Sequence, residues 1–99
     1  MAKFLQIIEF DSDKIDDTLA LDKEWMKATE GKRTATHQYV CADRDNPGHY
    51  VVIVEFPSRE AAEKNDKLPE TQQFAEKQMK LSKGEPKFYN LDVLDEKDL

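Results

Sequence analysis

THQYVCADRDNPGHYVVIVEF, residues 36–56, is the stretch whose reading decides the fold. Two runs rich in β-branched and aromatic residues, Thr36 to Asp43 and His49 to Phe56, flank Arg44-Asp45-Asn46-Pro47-Gly48. Asn-Pro-Gly is strong turn chemistry, because proline presets φ and glycine takes positive φ without steric cost. The stretch therefore reads as a β-hairpin. With the turn centred between Asp45 and Gly48, strand pairing sets His37 near Glu55.

Upstream, Lys3 to Phe10 (KFLQIIEF) has only two polar interruptions, Gln6 and Glu9, as expected of a strand covered on both faces. Asp11-Ser12-Asp13 offers N-cap candidates, apolar residues then recur at helical spacing to Glu30, and Gly31 is placed to end the helix. Ile15, Leu19 and Met26 make one apolar stripe, and Leu21, Trp25 and Ala28 a second. So wide an apolar face predicts contact with more than the helix's own sheet.

Downstream, Ser58 caps a helix carrying Ala61, Ala62, Asn65 and Leu68. Pro69 interrupts it, and a second piece bears Phe74, Ala75, Met79 and Leu81 before Gly84. Lys87 to Leu94 (KFYNLDVL) reads as the last strand, entered through Pro86, and residues 95–99 as a flexible, solvated tail. The order β-α-β-β-α-β is that of an α+β, ferredoxin-like domain spanning residues 1–99, with a four-stranded antiparallel sheet and two helices on one face.

The other face of that sheet poses a problem. In the first and third strands both alternating sets are apolar: Phe4, Ile8 and Phe10 beside Leu5 and Ile7, and Val52, Val54 and Phe56 beside Val51 and Ile53. A one-sided antiparallel sheet alternates with polar residues. With no spare element in the chain, the simplest cover is a second copy related by two-fold symmetry, and a homodimer is expected.

Composition narrows the partners. The 99 residues carry 21 acidic and 15 basic side chains, a formal charge of −6 spread along the chain, so no basic stripe is available for nucleic acid or anionic membrane. No apolar run is long enough to span a bilayer, and Met1 to Leu5 passes straight into the strand pattern rather than a signal peptide. A single cysteine, Cys41, allows no internal disulfide, and a cytoplasmic location is expected.

Val52 to Phe74 (VIVEFPSREAAEKNDKLPETQQF) resembles the dimeric α/β-barrel superfamily, which includes the antibiotic-biosynthesis-type monooxygenases and the stress-responsive A/B barrel proteins. In many members a strand ends in an aromatic residue, and the helix after it carries a histidine, a proline and a second histidine. Phe56 and Pro69 look like the aromatic and the proline, whereas Asn65 and Glu70 stand at the two histidine positions. The resemblance implies the fold and the dimer but supplies neither imidazole. The haem-degrading branch uses an Asn, Trp and His set, which has no counterpart here, since the only Trp lies in the first helix and the second contains no His.

Among the residues themselves, His37 and His49 sit at opposite ends of the hairpin's strands and cannot share a metal. His37 beside Glu55 is either a proton-transfer group or a cross-strand surface pair. Cys41, Asp43, Asp45 and His49 crowd the turn without a repeated ligand spacing, so an acidic loop is expected there and no metal. Trp25, Tyr39, Asn65, Phe74 and Tyr89 are the ligand-binding candidates, on the expectation that they face the space between sheet and helices; the alternative is a filled core. No phosphate loop and no flavin or nicotinamide fingerprint is present, and no cofactor is expected.

The leading expectation is a homodimeric protein that binds a small apolar or aromatic molecule between sheet and helices. A second is a cofactor-independent monooxygenase or isomerase of aromatic polyketide or quinol-like substrates, with His37, Tyr39 and Asn65 as the candidate participants. A third is a purely structural or interaction domain.

Overall fold

The computed structural model describes residues 3–99. Its elements are β1 (Phe4–Asp11), α1 (Ile15–Ala28), β2 (His37–Ala42), β3 (His49–Phe56), α2 (Arg59–Asp66), α3 (Pro69–Leu81) and β4 (Lys83–Asp92). The strands form one antiparallel sheet in the order β2-β3-β1-β4. This is the ferredoxin-like arrangement, with the second helix split in two.

The hairpin pairs in the expected register, from His37 opposite Glu55 to Ala42 opposite Tyr50. Its turn is closed by the Asp43 N–H donating to the His49 carbonyl at 2.9 Å and the His49 N–H donating to the Asn46 carbonyl at 3.1 Å. Gly48 takes φ +88°, a left-handed conformation that favours glycine, and its carbonyl accepts from the Ser12 N–H at 2.9 Å. The turn is thereby tied to the end of β1.

At the sheet's centre β1 pairs with β3 from Phe4 opposite Phe56 to Asp11 opposite His49. Alternation then puts Phe4, Gln6, Ile8, Phe10, Tyr50, Val52, Val54 and Phe56 on the face beneath the helices. Leu5, Ile7, Val51 and Ile53 share the outer face with Tyr39 and Leu91, which the pairings bring alongside. Among the described residues no element covers that face, and Tyr39 is 56% exposed.

β4 begins four residues earlier than the sequence pattern indicates, at Lys83 rather than Lys87. Glu9 pairs with Lys87 and Asp11 with Lys83, so Gly84, Glu85 and Pro86 together oppose Phe10 in a bulge on this edge strand. Pro86 sits where the ladder requires no N–H, and proline is tolerated inside the strand.

The expected cap of α1 is also different. Lys14 is the N-cap residue and contributes no side-chain bond, whereas Ser12 is buried and accepts from the Lys14 N–H at 2.9 Å while donating to the Leu81 carbonyl at 3.0 Å. Ser12 therefore fastens the β1–α1 corner to the end of α3. The helix after Ser58 matches its reading: the Ser58 Oγ accepts from the Ala61 N–H at 3.1 Å, and Pro69, at the first turn of α3, separates α2 from α3.

Packing is uneven beneath the helices. α2 rests on β1 and β3, where Phe4, Val54, Phe56 and Ala62 form the packed core. α1 leans on α3, with the Trp25 and Phe74 rings 6.1 Å apart and the Trp25 indole N–H donating to the Thr71 Oγ1 at 3.0 Å. The wide apolar face of α1 is thus spent partly on a neighbouring helix. Ser58→Ala is expected to lower stability by about 1 kcal/mol through loss of the cap, a change that urea denaturation will detect.

Candidate functional site

The uneven packing leaves a cavity of about 400 Å³ between the helices and the inner sheet face. Ile8, Val52 and Val54 line it from the central strands, Trp25 from α1, Asn65 from α2 and Phe74 from α3. Pro69 contributes indirectly, since the change of helix direction there lets α2 settle on the core while α3 runs on with α1.

Polar groups at the cavity are mostly held by one another. Gln6 on β1 donates to the Asp66 carboxylate at 3.0 Å, and Gln38 on β2 donates to Asp22 on α1 at 2.9 Å. The buried Asn65 accepts from the Thr34 N–H through Oδ1 at 3.4 Å. The Arg33 guanidinium carbon lies 6.0 Å from the Trp25 ring centroid, so the indole is fixed both by its hydrogen bond to Thr71 and by a cation-π contact. Thr18 and Gln78 also lie along the cavity, each with its side-chain oxygen buried away from that space and without a partner among the described residues.

Of the five residues expected to meet a ligand, the structure brings together Trp25, Asn65 and Phe74. It does not bring Tyr39 to them. Tyr39 pairs with Ile53 and projects from the outer face, where its ring lies 4.7 Å from that of His37. His37 shares that face and is therefore separated from the cavity by the sheet. Its cross-strand neighbour Glu55 is engaged elsewhere, accepting from the Thr36 hydroxyl at 3.0 Å and lying 3.6 Å from the Lys3 ammonium.

Tyr89 reaches the cavity's rim, but its ring belongs to the outer face. It pairs with Ile7, and its hydroxyl donates to Glu9 Oε2 at 2.9 Å. Its neighbour Phe88 is the β4 aromatic on the cavity side, paired with Ile8. Sequence reasoning misses Phe88, Thr18 and Gln78. The available signal for the latter two is helical spacing: Thr18 lies three residues after Ile15 on the apolar stripe of α1, and Gln78 four after Phe74 on α3.

No protein-family model and no curated protein matches the sequence. The likeness lies in the backbone. A crystal structure of an antibiotic biosynthesis monooxygenase superposes with a TM-score of 0.73 at 19% identity, covering 94% of this chain and 99% of its own. For a putative antibiotic biosynthesis monooxygenase from Caulobacter crescentus the TM-score is 0.81 at 10% identity, over 95% of this chain and 92% of the other. The chain has the antibiotic-biosynthesis-monooxygenase fold. SnoaB, a cofactor-independent oxygenase from Streptomyces nogalater, shares it as well, with a TM-score of 0.80 at 12% identity and 95% of each chain covered.

A cluster of titratable groups also lies on the outer face of the sheet. His49 Nδ1 lies 2.8 Å from Asp11 Oδ1 and Nε2 lies 3.8 Å from Glu9, the carboxylate that also accepts from Tyr89. The hydrogen bond to Asp11 raises the His49 pKa above its ordinary value, aided by the charges of Asp11, Glu9 and Asp43, and the bond to Glu9 raises that of Tyr89. Among the described residues, no three His, Cys, Asp or Glu side chains gather to hold a metal.

A histidine whose folded pKa exceeds its unfolded value adds stability that is complete below the unfolded pKa, about 6.5, and is lost as pH rises through the folded one. His49→Gln is therefore expected to destabilise the protein more at about pH 5.5 than at about pH 9. Denaturation of both proteins at the two pH values checks the sign, and an equal loss at both would remove the Asp11 pairing as its cause.

Proposed function

We propose that this protein is a homodimer that binds a small apolar or aromatic molecule between its helices and its sheet. The observation that carries the reading is the cavity of about 400 Å³, bounded by Trp25 and Phe74 with the buried Asn65 at its wall. A cavity of this size with apolar walls and a few fixed polar groups has the form of a small-molecule site, whereas a purely structural domain gains nothing from leaving it unfilled. Asn65 can hold a carbonyl or hydroxyl group but cannot exchange protons near neutral pH.

Support for the dimer comes from the outer face, where Leu5, Ile7, Val51 and Ile53 are only half-buried and Tyr39, Tyr89 and Leu91 are exposed. Contiguous apolar surface of this kind marks an interface. Among the described residues no helix is long and apolar enough to cross a membrane. Cys41 is a free, half-buried thiol, which fits the proposed cytoplasmic location.

A second reading, a cofactor-independent monooxygenase or isomerase, draws support from the fold shared with a cofactor-independent oxygenase. It leaves Asn65 as the cavity-facing member of its proposed set, because His37 and Tyr39 lie across the sheet. The chemistry would have to come from a substrate able to react with oxygen unaided.

Titration with indane, followed through the indole N–H resonance of Trp25, the only tryptophan, is expected to show saturable binding. Ala75→Phe, which fills the cavity, should abolish it; binding unaffected by that change would place the ligand elsewhere. For the dimer, the wild type should sediment at twice the 11.5 kDa of one chain, and Ile53→Lys as a monomer. A wild-type monomer would sink the proposed assembly. Oxygen uptake with an autoxidising hydroquinone separates the two readings: acceleration lost in Asn65→Ala favours the oxygenase, and an unchanged rate favours binding alone.

A further inference from the structure

The strand pairings lay out the floor of the cavity in ranks. Gln38, Val54, Gln6 and Asn90 stand opposite one another across the four strands, and Val40, Val52, Ile8 and Phe88 form the rank beside them. Both ranks line the cavity. One is hydrocarbon from edge to edge, and its neighbour carries three amides around a single valine.

Two of those amides hold carboxylates. Gln38 donates through Nε2 to Asp22 Oδ1 at 2.9 Å, and Gln6 through Nε2 to Asp66 Oδ2 at 3.0 Å. An ionised carboxylate can only accept, so each glutamine turns its NH2 group to the acid and keeps Oε1 as an acceptor. Both glutamines rise from the inner sheet face, so these bonds draw the acids of α1 and α2 into the layer between helices and sheet. The polar rank thus offers acceptors and negative charge.

The cavity wall supplies nothing to neutralise that charge. Asp22 and Asp66 line it and no Lys, Arg or His does; among the described residues neither aspartate is paired with a cation. The Arg33 guanidinium by the Trp25 ring donates to the Met26 carbonyl and is not part of the wall. Asp22 is half-buried whereas Asp66 is exposed, so solvent and salt screen Asp22 less. Asp22 also precedes Trp25 by three residues on α1, the spacing that makes side chains neighbours on one helix face.

We propose that the cavity selects a cationic amine carried on an apolar ring, with the ammonium at Asp22 and Gln38 and the ring over the hydrocarbon rank. This rests on the small-molecule-binding reading above and specifies the ligand's chemical class. An ammonium has three donors and no acceptor, which suits the Asp22 carboxylate and Gln38 Oε1 together. An anion would lose its hydration beside two carboxylates and gain no counter-charge. Asp22 is the specificity residue, and Asp66 adds to the same field from a more exposed position.

The test compares indane, 2-aminoindane and indane-2-carboxylate at about pH 7, where the amine is protonated and the acid ionised, by the same Trp25 resonance. The variants are Asp22→Asn, which keeps an oxygen to accept from Gln38, and Asp66→Asn. The expected result is that 2-aminoindane binds the wild type about tenfold tighter than indane and the carboxylate binds weakest. Asp22→Asn should bring amine and indane to near equality without changing the affinity for indane, and Asp66→Asn should keep most of the preference. Equal binding of indane and 2-aminoindane by the wild type, or tightest binding of the carboxylate, would overturn the cation selectivity while leaving the pocket intact. A preference that survives Asp22→Asn would overturn the role of Asp22. No binding of any of the three would overturn the proposal together with the pocket.

Discussion

The pairing of β1 with β3 is the constraint on which the rest of the molecule depends. These are the two central strands, and both of their faces are apolar, so the register fixes which apolar set meets the helices and which meets something else. Phe4 opposite Phe56 starts the inner set and builds the core with Val54 and Ala62. Ile7 opposite Ile53 centres the outer set. A slip of one residue would exchange them, moving Glu9 and Glu55 under the helices and exposing the phenylalanines. The hairpin resists such a slip through Gly48, whose positive φ shapes the turn and whose carbonyl is bound by Ser12 at the end of β1.

From that register the cavity follows by way of the helices. A continuous helix from Ser58 to Leu81 would have to take one direction over the sheet. Pro69 breaks it, because its ring cannot continue the preceding turn, and the two pieces take different partners. α2 closes down on Phe4 and Phe56; α3 packs with α1 through Trp25 and Phe74, and the space enclosed between that pair and the sheet is the cavity. The same proline that ends the core thus begins the site.

Much of this is legible in the sequence, and the exceptions have physical reasons. The hairpin, the element order, the Ser58 cap and the break at Pro69 all rest on local chemistry, which the chain states directly. The start of β4 is not legible, because Gly84 and Pro86 read as strand-breakers and only pairing with β1 turns them into a bulge. Ser12 reads as a helix cap because its donor and acceptor capacity is evident, whereas its partner at Leu81 is far along the chain. Tyr39 is a different case. The register that sets His37 opposite Glu55 also sets Tyr39 opposite Ile53, so the alternation that turns Ile53 outward keeps Tyr39 out of the cavity. In a strand, alternation decides the face, and the aromatic character of a tyrosine does not override it.

The two faces of the sheet divide the chemistry of the protein between them. Histidines, Cys41, Tyr39 and Tyr89 lie on the outer face, the one that a second copy would cover, and His49 is already engaged there by carboxylates. The inner face and its helices retain amides, hydroxyls, aromatic rings and two carboxylates, each of which is bound by a glutamine. Such a set recognises better than it transfers protons, since neither an amide nor an aliphatic hydroxyl titrates near neutral pH. The shared backbone fold leaves that question open, because chemistry resides in the side chains placed on a fold rather than in the fold itself. In this chain, the side chains that point into the cavity are suited to holding a molecule and fixing its orientation, and any reaction there would have to draw its reactivity from the molecule held.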